Sequence, residues 1–207
     1  DNGPALEGSV SDLRGGKYLA YEGGQKVPFM IRWDNNGGLF EKGGTRSNSA
    51  TFVDFFPTLI ELCGITVGGE NNVLPADREI DGVSFVPVIE KDVPVHNEEH
   101  PILHMKREDI KAIQYTVTSD SVKEAYPGYK YDILNNKFIT FKYFDKIQND
   151  NSAFWDKNRK NWLHILTDDY AENYNRTSVY PEIADQYNAK MHEIMDNFKE
   201  NRRGFIE

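Results

Sequence analysis

The chain opens with a carboxylate and an amide oxygen side by side, Asp1 and Asn2, followed by Gly3. These are the hard donors that Ca2+ or Mg2+ prefers, and the glycine permits a tight turn that aims both at one ion. The same triplet also suits a plain surface turn. Its neighbourhood adds weight to the first reading. Residues 13 to 33 hold Arg14, Lys17, Lys26 and Arg32 against Glu22 alone, a local balance of 4 − 1 = +3 in a chain of net charge −9. A positive island in an acidic protein steers an anionic substrate and neutralises charge developing on a reacting oxygen; a solvated basic loop has the same composition.

The elements that must position these residues can be read from composition and periodicity. Ten of the 16 glycines lie in residues 1 to 44, as expected of loops that approach a ligand closely, whereas residues 110 to 207 hold 17 of the 26 aromatics, a packing surface. Val27 to Trp33 is a continuous apolar run. It predicts a strand buried on both faces of a parallel sheet, with the site loops near the carboxyl ends of such strands. Asp54 as cap, Pro57 in the first turn, an apolar stripe of Leu59, Ile60, Leu62 and Cys63, and Gly64 as terminator predict a short helix. Cys63 is then a small buried apolar residue.

Residues 66 to 82 read as a surface loop, and Pro87, Pro94 and Pro101 punctuate a passage between two domains, drawn here as 1–95 and 96–207. Beyond it come strand-like runs at Ile102 to Met105, Ala112 to Thr118 and Asn161 to Leu166, with Lys137 to Phe144 as a fourth. Residues 119 to 135 and 148 to 161 read as loops or insertions. Ile183, Tyr187, Met191, Ile194, Met195 and Phe198 share one helical face after Pro181. Antiparallel strands under an amphipathic terminal helix make a small α+β subdomain.

His96, His100 and His104 recur every four residues. Pro94 and Pro101 interrupt any helix that would gather three imidazoles for a metal, so no zinc site is expected there. His104, beside Lys106 and Arg107, reads as a strand-end cluster rimming a substrate pocket. The charge of −9 argues against a nucleic-acid partner. No apolar run approaches the ~20 residues that span a bilayer. The single cysteine excludes an internal disulfide framework. Asn175-Arg176-Thr177 matches a glycosylation sequon.

Five segments in order carry a family resemblance: Lys17-x-x-x-Tyr21-Glu22-Gly23-Gly24 after Asp1-Asn2-Gly3; Val27 to Trp33; Val53 to Ile65; Asp77 to Ser84; and Leu163 to Asn175, with Asp169, Glu172 and Asn175 in register. The order resembles the carboxy-terminal portion of formylglycine-dependent sulfatases, arylsulfatase-type members of the alkaline phosphatase superfamily. The last segment departs from the family pattern at His164 and Ile165, where tyrosine and aspartate are usual.

The resemblance implies an α/β fold: the end of an alkaline-phosphatase-like sheet domain, then the small α+β subdomain. It implies that Asp1 and Asn2 are metal ligands for Ca2+ or Mg2+ and that Lys17 meets the sulfate, catalytic and substrate-binding at once. Glu22 reads as structural, hydrogen-bonded to amides of its own turn, with contact to substrate as the alternative. The formylglycine precursor heads a Cys/Ser-x-Pro/Ala-x-Arg motif, and Cys63-Gly64-Ile65-Thr66-Val67 lacks its proline and arginine. The nucleophile and further metal ligands are therefore expected from a missing amino-terminal part of the same enzyme. The 207 residues alone are expected to be inactive, with apolar edges that self-associate.

The implied substrate is a sulfated small molecule or glycan, and the implied location is periplasmic, secreted or lysosomal. A phosphomonoester or phosphonate hydrolase of the same superfamily, a glycan-binding module and a purely structural module remain as alternatives.

Overall fold

A computed structural model describes residues 3–5, 8–34, 37–38, 43–65, 80–106, 109–128, 135–145 and 161–200. The chain divides into two compact units: Asp1–Phe29 with Leu103–Glu207, and Met30–Ile102.

Strand alternation organises the first unit. Strands β1 (Ile102–Lys106), β2 (Asp109–Thr118), β3 (Phe138–Phe144) and β4 (Trp162–Ile165) form one sheet in that order. Strands β2 to β4 pair antiparallel, with Gln114 opposite Lys142 and Lys142 opposite His164. Since successive side chains alternate faces, the odd-numbered residues Ile113, Tyr115, Ile139, Phe141, Tyr143, Leu163 and Ile165 share one side. Helix α5 (Pro181–Glu200) covers that side with Ile183, Ala184, Tyr187 and Met191. Tyr187 stacks on Tyr115 at 3.8 Å between ring centroids and donates its hydroxyl to the Tyr115 carbonyl at 3.0 Å. The periodic helix and all four strand-like runs are thus present where the sequence places them. Among the described residues no helix is long and apolar enough to cross a membrane.

The even-numbered side is different in kind. Ala112, Phe144 and Trp162 pack there against Ala20 and Tyr21, from the glycine-rich amino-terminal segment. The single turn α1 (Glu22–Gln25) follows directly. Both faces of the sheet are therefore covered, one by a helix and one by the loop that carries Lys17.

One region predicted as loop contains a helix. In the stretch from 119 to 135, α4 (Ser119–Ala125) starts on Thr118, whose hydroxyl accepts the Ser121 amide at 3.1 Å. The cap satisfies an orphan donor that the helix cannot, which lets a polar sequence begin a helix.

In the second unit, a 3-10 turn (Phe52–Asp54) leads into α2 (Phe55–Leu62), and α3 (Val86–Lys91) follows. Asp54 is buried and does not cap α2. Its carboxylate accepts from the Thr51 amide and hydroxyl at 2.6 and 2.8 Å and from the Val83 amide at 2.9 Å, and it meets His96 Nε2 at 2.8 Å. Two donors from Thr51 and one from distant Val83 converge on the carboxylate and outcompete the amides of the following helix. Ile60 is buried on one face of α2, but Phe56, Leu59 and Cys63, at helical spacing on another face, are exposed. Cys63 is therefore not the buried residue expected. The helix is apolar on more than one side and only one side is covered.

The Val27–Trp33 segment also departs from expectation. It forms no strand, and Phe29, Met30 and Trp33 are exposed, Met30 at 90%. A doubly buried parallel strand needs hydrogen-bonding neighbours and a layer on each face, and the described residues supply neither.

Candidate active-site loop

Glycines let the amino-terminal segment fold tightly on itself. The Gly3 amide donates to the Gly24 carbonyl at 3.0 Å, the Lys17 amide to the Pro4 carbonyl at 2.9 Å, and the Gly23 amide to the Arg14 carbonyl at 2.8 Å. A Cβ on Gly3 would fall on the Gly23 carbonyl, so only glycine permits this approach. The residues following Asp1-Asn2 thereby lie against both the Lys17 backbone and the Glu22-Gly23-Gly24 turn. Asp1 and Asn2 themselves lie outside the described residues. Lys17 is half-buried. Tyr18, directly after it, has φ 78°, a left-handed conformation costly for a bulky residue.

Arg14 and Arg32 of the basic stretch are engaged within the chain. Arg14 lays its guanidinium over Trp162 at 4.4 Å and Tyr21 at 5.0 Å, and donates Nη1 to the Glu172 carbonyl at 3.0 Å. Arg32 grips Asp34 through two hydrogen bonds of 3.0 and 3.1 Å at the surface.

Glu22 is structural, as the sequence suggests, but its partners are remote. Its carboxylate accepts from Lys142 Nζ at 2.7 Å, and its own amide donates to Glu172 Oε2 at 2.6 Å. Lys142 is fully buried and also meets Glu172 Oε1 at 3.0 Å. One buried amine thus bridges two carboxylates. Burial pushes the Glu172 carboxyl above its ordinary range; Lys142 pulls it down and Glu22 pushes it up. Glu172 also has φ 57°, outside the usual range for a residue with a side chain, and is held there from both its backbone and its carboxylate.

The cross-strand register extends this cluster into a polar row over the whole sheet. His104 on β1 meets Gln114 on β2 through Nε2 at 3.1 Å, Gln114 lies opposite Lys142, and Lys142 lies opposite His164. His104 is 6% exposed. Burial and then the Lys142 charge hold its imidazole well below the usual histidine range, against the Gln114 hydrogen bond, so the ring is neutral near pH 7 with its proton on Nε2.

Fully buried His164 faces Phe144 and Trp162 edge to ring at 5.9 and 5.5 Å. Its Nδ1 is 3.9 Å from Asp169 Oδ2, beyond hydrogen-bond reach. Burial raises the Asp169 carboxyl, but nearby His164 and the Asn173 and Tyr174 amides at 2.9 and 2.7 Å together hold it below its usual range.

Asn175 closes the same turn, accepting from the Leu163 amide at 3.2 Å and the Thr177 hydroxyl at 2.7 Å. Its side chain, read from sequence as part of a sequon, is committed to the fold. The structure thus brings Lys17, Glu22, Glu172 and Lys142 into one unit and places His104 behind them in the sheet. Sequence reasoning missed Lys142. Its signal was a lone lysine inside the aromatic alternation Phe138 to Phe144, on what pairing makes the loop-facing side. Among the described residues no group of three or more histidine, cysteine or acidic side chains is placed to hold a metal.

The Sulfatase family model matches residues 1–65. Steryl-sulfatase of Rattus norvegicus is 32% identical over 126 residues, covering 60% of this chain and 20% of that protein. Human Arylsulfatase D is 37% identical over 91 residues, covering 44% and 14%. The Ulvan-active sulfatase of Formosa agariphila is 34% identical over 83 residues, covering 40% and 14%. The chain therefore spans about a fifth or less of these relatives' length.

A Bacteroides thetaiotaomicron protein, solved in work on the metabolism of multiple glycosaminoglycans, superposes with a TM-score of 0.50 at 21% identity, over 89% of this chain and 32% of that one. That likeness concerns the fold. The loop motif and the family match agree over the same residues: the amino-terminal 65 residues of the chain are similar to sulfatases.

Proposed function

We propose that these residues form the carboxy-terminal part of a sulfuric ester hydrolase, and that the loop at 13 to 26 is its sulfate-facing element. The observation that carries the reading is the pair of backbone hydrogen bonds from Gly3 to Gly24 and from Lys17 to Pro4, which support one site for the Asp1-Asn2 pair and the lysine. Asp1 and Asn2 offer the oxygen donors that a hard cation takes, Ca2+ or Mg2+, and such an ion polarises sulfate oxygens. Lys17 would neutralise charge on the sulfate as the ester bond breaks. No residue here fits a formylglycine precursor, so the nucleophile would come from polypeptide outside these 207 residues. His104, buried behind Lys142, suits a supporting place better than one at the substrate.

A sulfated sugar is the preferred substrate class, supported by the Formosa agariphila relative named for ulvan. The compartment that goes with this reading is periplasmic, secreted or lysosomal. The remaining polypeptide would pack on the exposed apolar side of the second unit, including Phe52, Phe56 and Leu59.

Turnover of sulfate and phosphate esters by the intact protein tests the reading. Sulfate esters should be preferred. Lys17→Ala should cost ~2.7 to 4 kcal/mol of transition-state stabilisation, about 10²- to 10³-fold in kcat, by analogy with an oxyanion donor. Unchanged turnover in Lys17→Ala, or a preference for phosphate esters, refutes it.

A further inference from the structure

We propose that Lys142 and Glu172 are positioning residues: the buried polar row of the sheet fixes, through Glu22, the loop conformation that presents Lys17. The catalytic consequence rests on the proposed sulfatase function, whereas the fixing of the loop does not.

Three observations converge. Glu22 is tied twice, by its side chain to Lys142 Nζ at 2.7 Å and by its amide to Glu172 Oε2 at 2.6 Å. Arg14, at the other end of the loop, is held by the Glu172 carbonyl and by the faces of Trp162 and Tyr21. Between these two anchors the chain runs through Gly15 and Tyr18, with φ 76° and 78°. A non-glycine residue in that region persists only when its surroundings over-determine it. The anchors supply that constraint from 120 and 150 positions away along the chain.

The chemistry explains the choice of groups. A buried lysine between two carboxylates is weak as a source of stability, because desolvation offsets much of the attraction. It is strong as a specifier of geometry, since displacing Glu22 removes one of the two carboxylates that hold a fully buried amine. Lys142 sits in the middle of the sheet, opposite Gln114 on one neighbouring strand and His164 on the other, so the register fixes where its side chain leaves the sheet.

Amide hydrogen exchange on this chain tests the holding of the loop. In Glu22→Ala, which keeps the Lys142–Glu172 pair, the amides of Lys17, Leu19, Gly23 and Gly24 should exchange about ten- to a hundredfold faster, as loss of a hydrogen bond between charged groups allows. The β2–β3 ladder and α5 should keep their protection. Lys142→Met should loosen the same loop amides; where it fails to fold, Glu22→Ala carries the test alone. Loop amides that stay protected in Glu22→Ala overturn the proposal.

In the intact protein, a positioning role predicts non-additivity: Glu22→Ala lowers kcat, but the Glu22→Ala/Lys17→Ala double variant is no slower than Lys17→Ala. Generalised destabilisation would instead multiply the two losses, and that result overturns the positioning role. If the loop loosens as expected and the parent protein turns over no sulfate ester, the anchor stands and the sulfatase reading fails.

Discussion

Phe141 and Phe52 are the same side chain in two units with opposite fates. Phe141 lies in the middle of β3, fully buried and edge-on to Tyr180 and Tyr187 at 6.2 and 5.8 Å. Phe52, in the turn before α2, is 91% exposed and stacks on its neighbour Phe55 at 6.5 Å. The first unit closes on itself: its sheet has a helix on one face and the Lys17 loop on the other. The second has a small core of Phe85, Val88 and Ile89 and leaves much of its apolar surface open. Hydrophobicity of a side chain states a demand for cover; whether the demand is met depends on what the fold brings opposite.

The largest expected effect tests the closed unit. Phe141→Ala should destabilise it by about 3 to 5 kcal/mol in denaturant unfolding, because both its ring contacts and its volume are lost from a packed interior. A cost under about 1 kcal/mol would show that α5 packs loosely and would erase the contrast.

A smaller effect is expected at the polar centre of the open unit. Asp54→Asn should cost about 1 to 3 kcal/mol, since the amide cannot accept from Thr51, Val83 and His96 as the carboxylate does. The same group sets a pH response. Burial raises the Asp54 carboxyl, but His96 and the Val83 and Thr51 amides outweigh it, leaving the folded-state value below the ordinary one. A lowered carboxylate contributes stability that is full above the unfolded-state pKa and is lost as pH falls through the folded-state value.

Asp92, gripped by Ser47 and Asn48, acts in the same direction. In the closed unit Glu172 is raised, so its contribution is full at low pH and is lost as pH rises through its folded value, opposing Asp169. Acidification below the carboxylate range should therefore release amide protection at Val83 and Thr51 before that of the β2–β3 ladder. The reverse order would sink the comparison.

The smallest stability effect, within about 0.5 kcal/mol, is expected of Phe52→Lys, since little packing is lost at an exposed site. Its effect on association should be larger. Sedimentation of the parent chain should show concentration-dependent self-association that Phe52→Lys weakens; a parent chain monomeric at high concentration would show that the open surface is not sticky.

How much could be read beforehand differs by element. Helix α5 and strands β1 to β4 were legible because periods of 3.6 and 2 are local properties that survive any arrangement of partners. The loop motif was legible because glycine spacing and a lysine ahead of Tyr-Glu-Gly-Gly resemble a known family. Val27–Trp33 and Cys63 were misjudged for one reason: an apolar stretch says nothing of whether its cover lies within the same folded unit. Asp54 was misjudged because several donors competed for one carboxylate, and only spatial proximity settles such a contest.

By itself the sequence determined strands β1 to β4, helix α5, the glycine-rich turn and the resemblance to sulfatases, since these rest on short-range sterics, periodicity and motif order; α4 escaped it because its start depends on the Thr118 cap. Tertiary structure alone decided that Lys142 and Glu172 seize Glu22, that Arg14 serves the fold, and that His104 is buried and neutral. Those facts depend on strand register and on contacts between distant parts of the chain. A charge finds its partner through space, and nothing in the local order of residues encodes that distance.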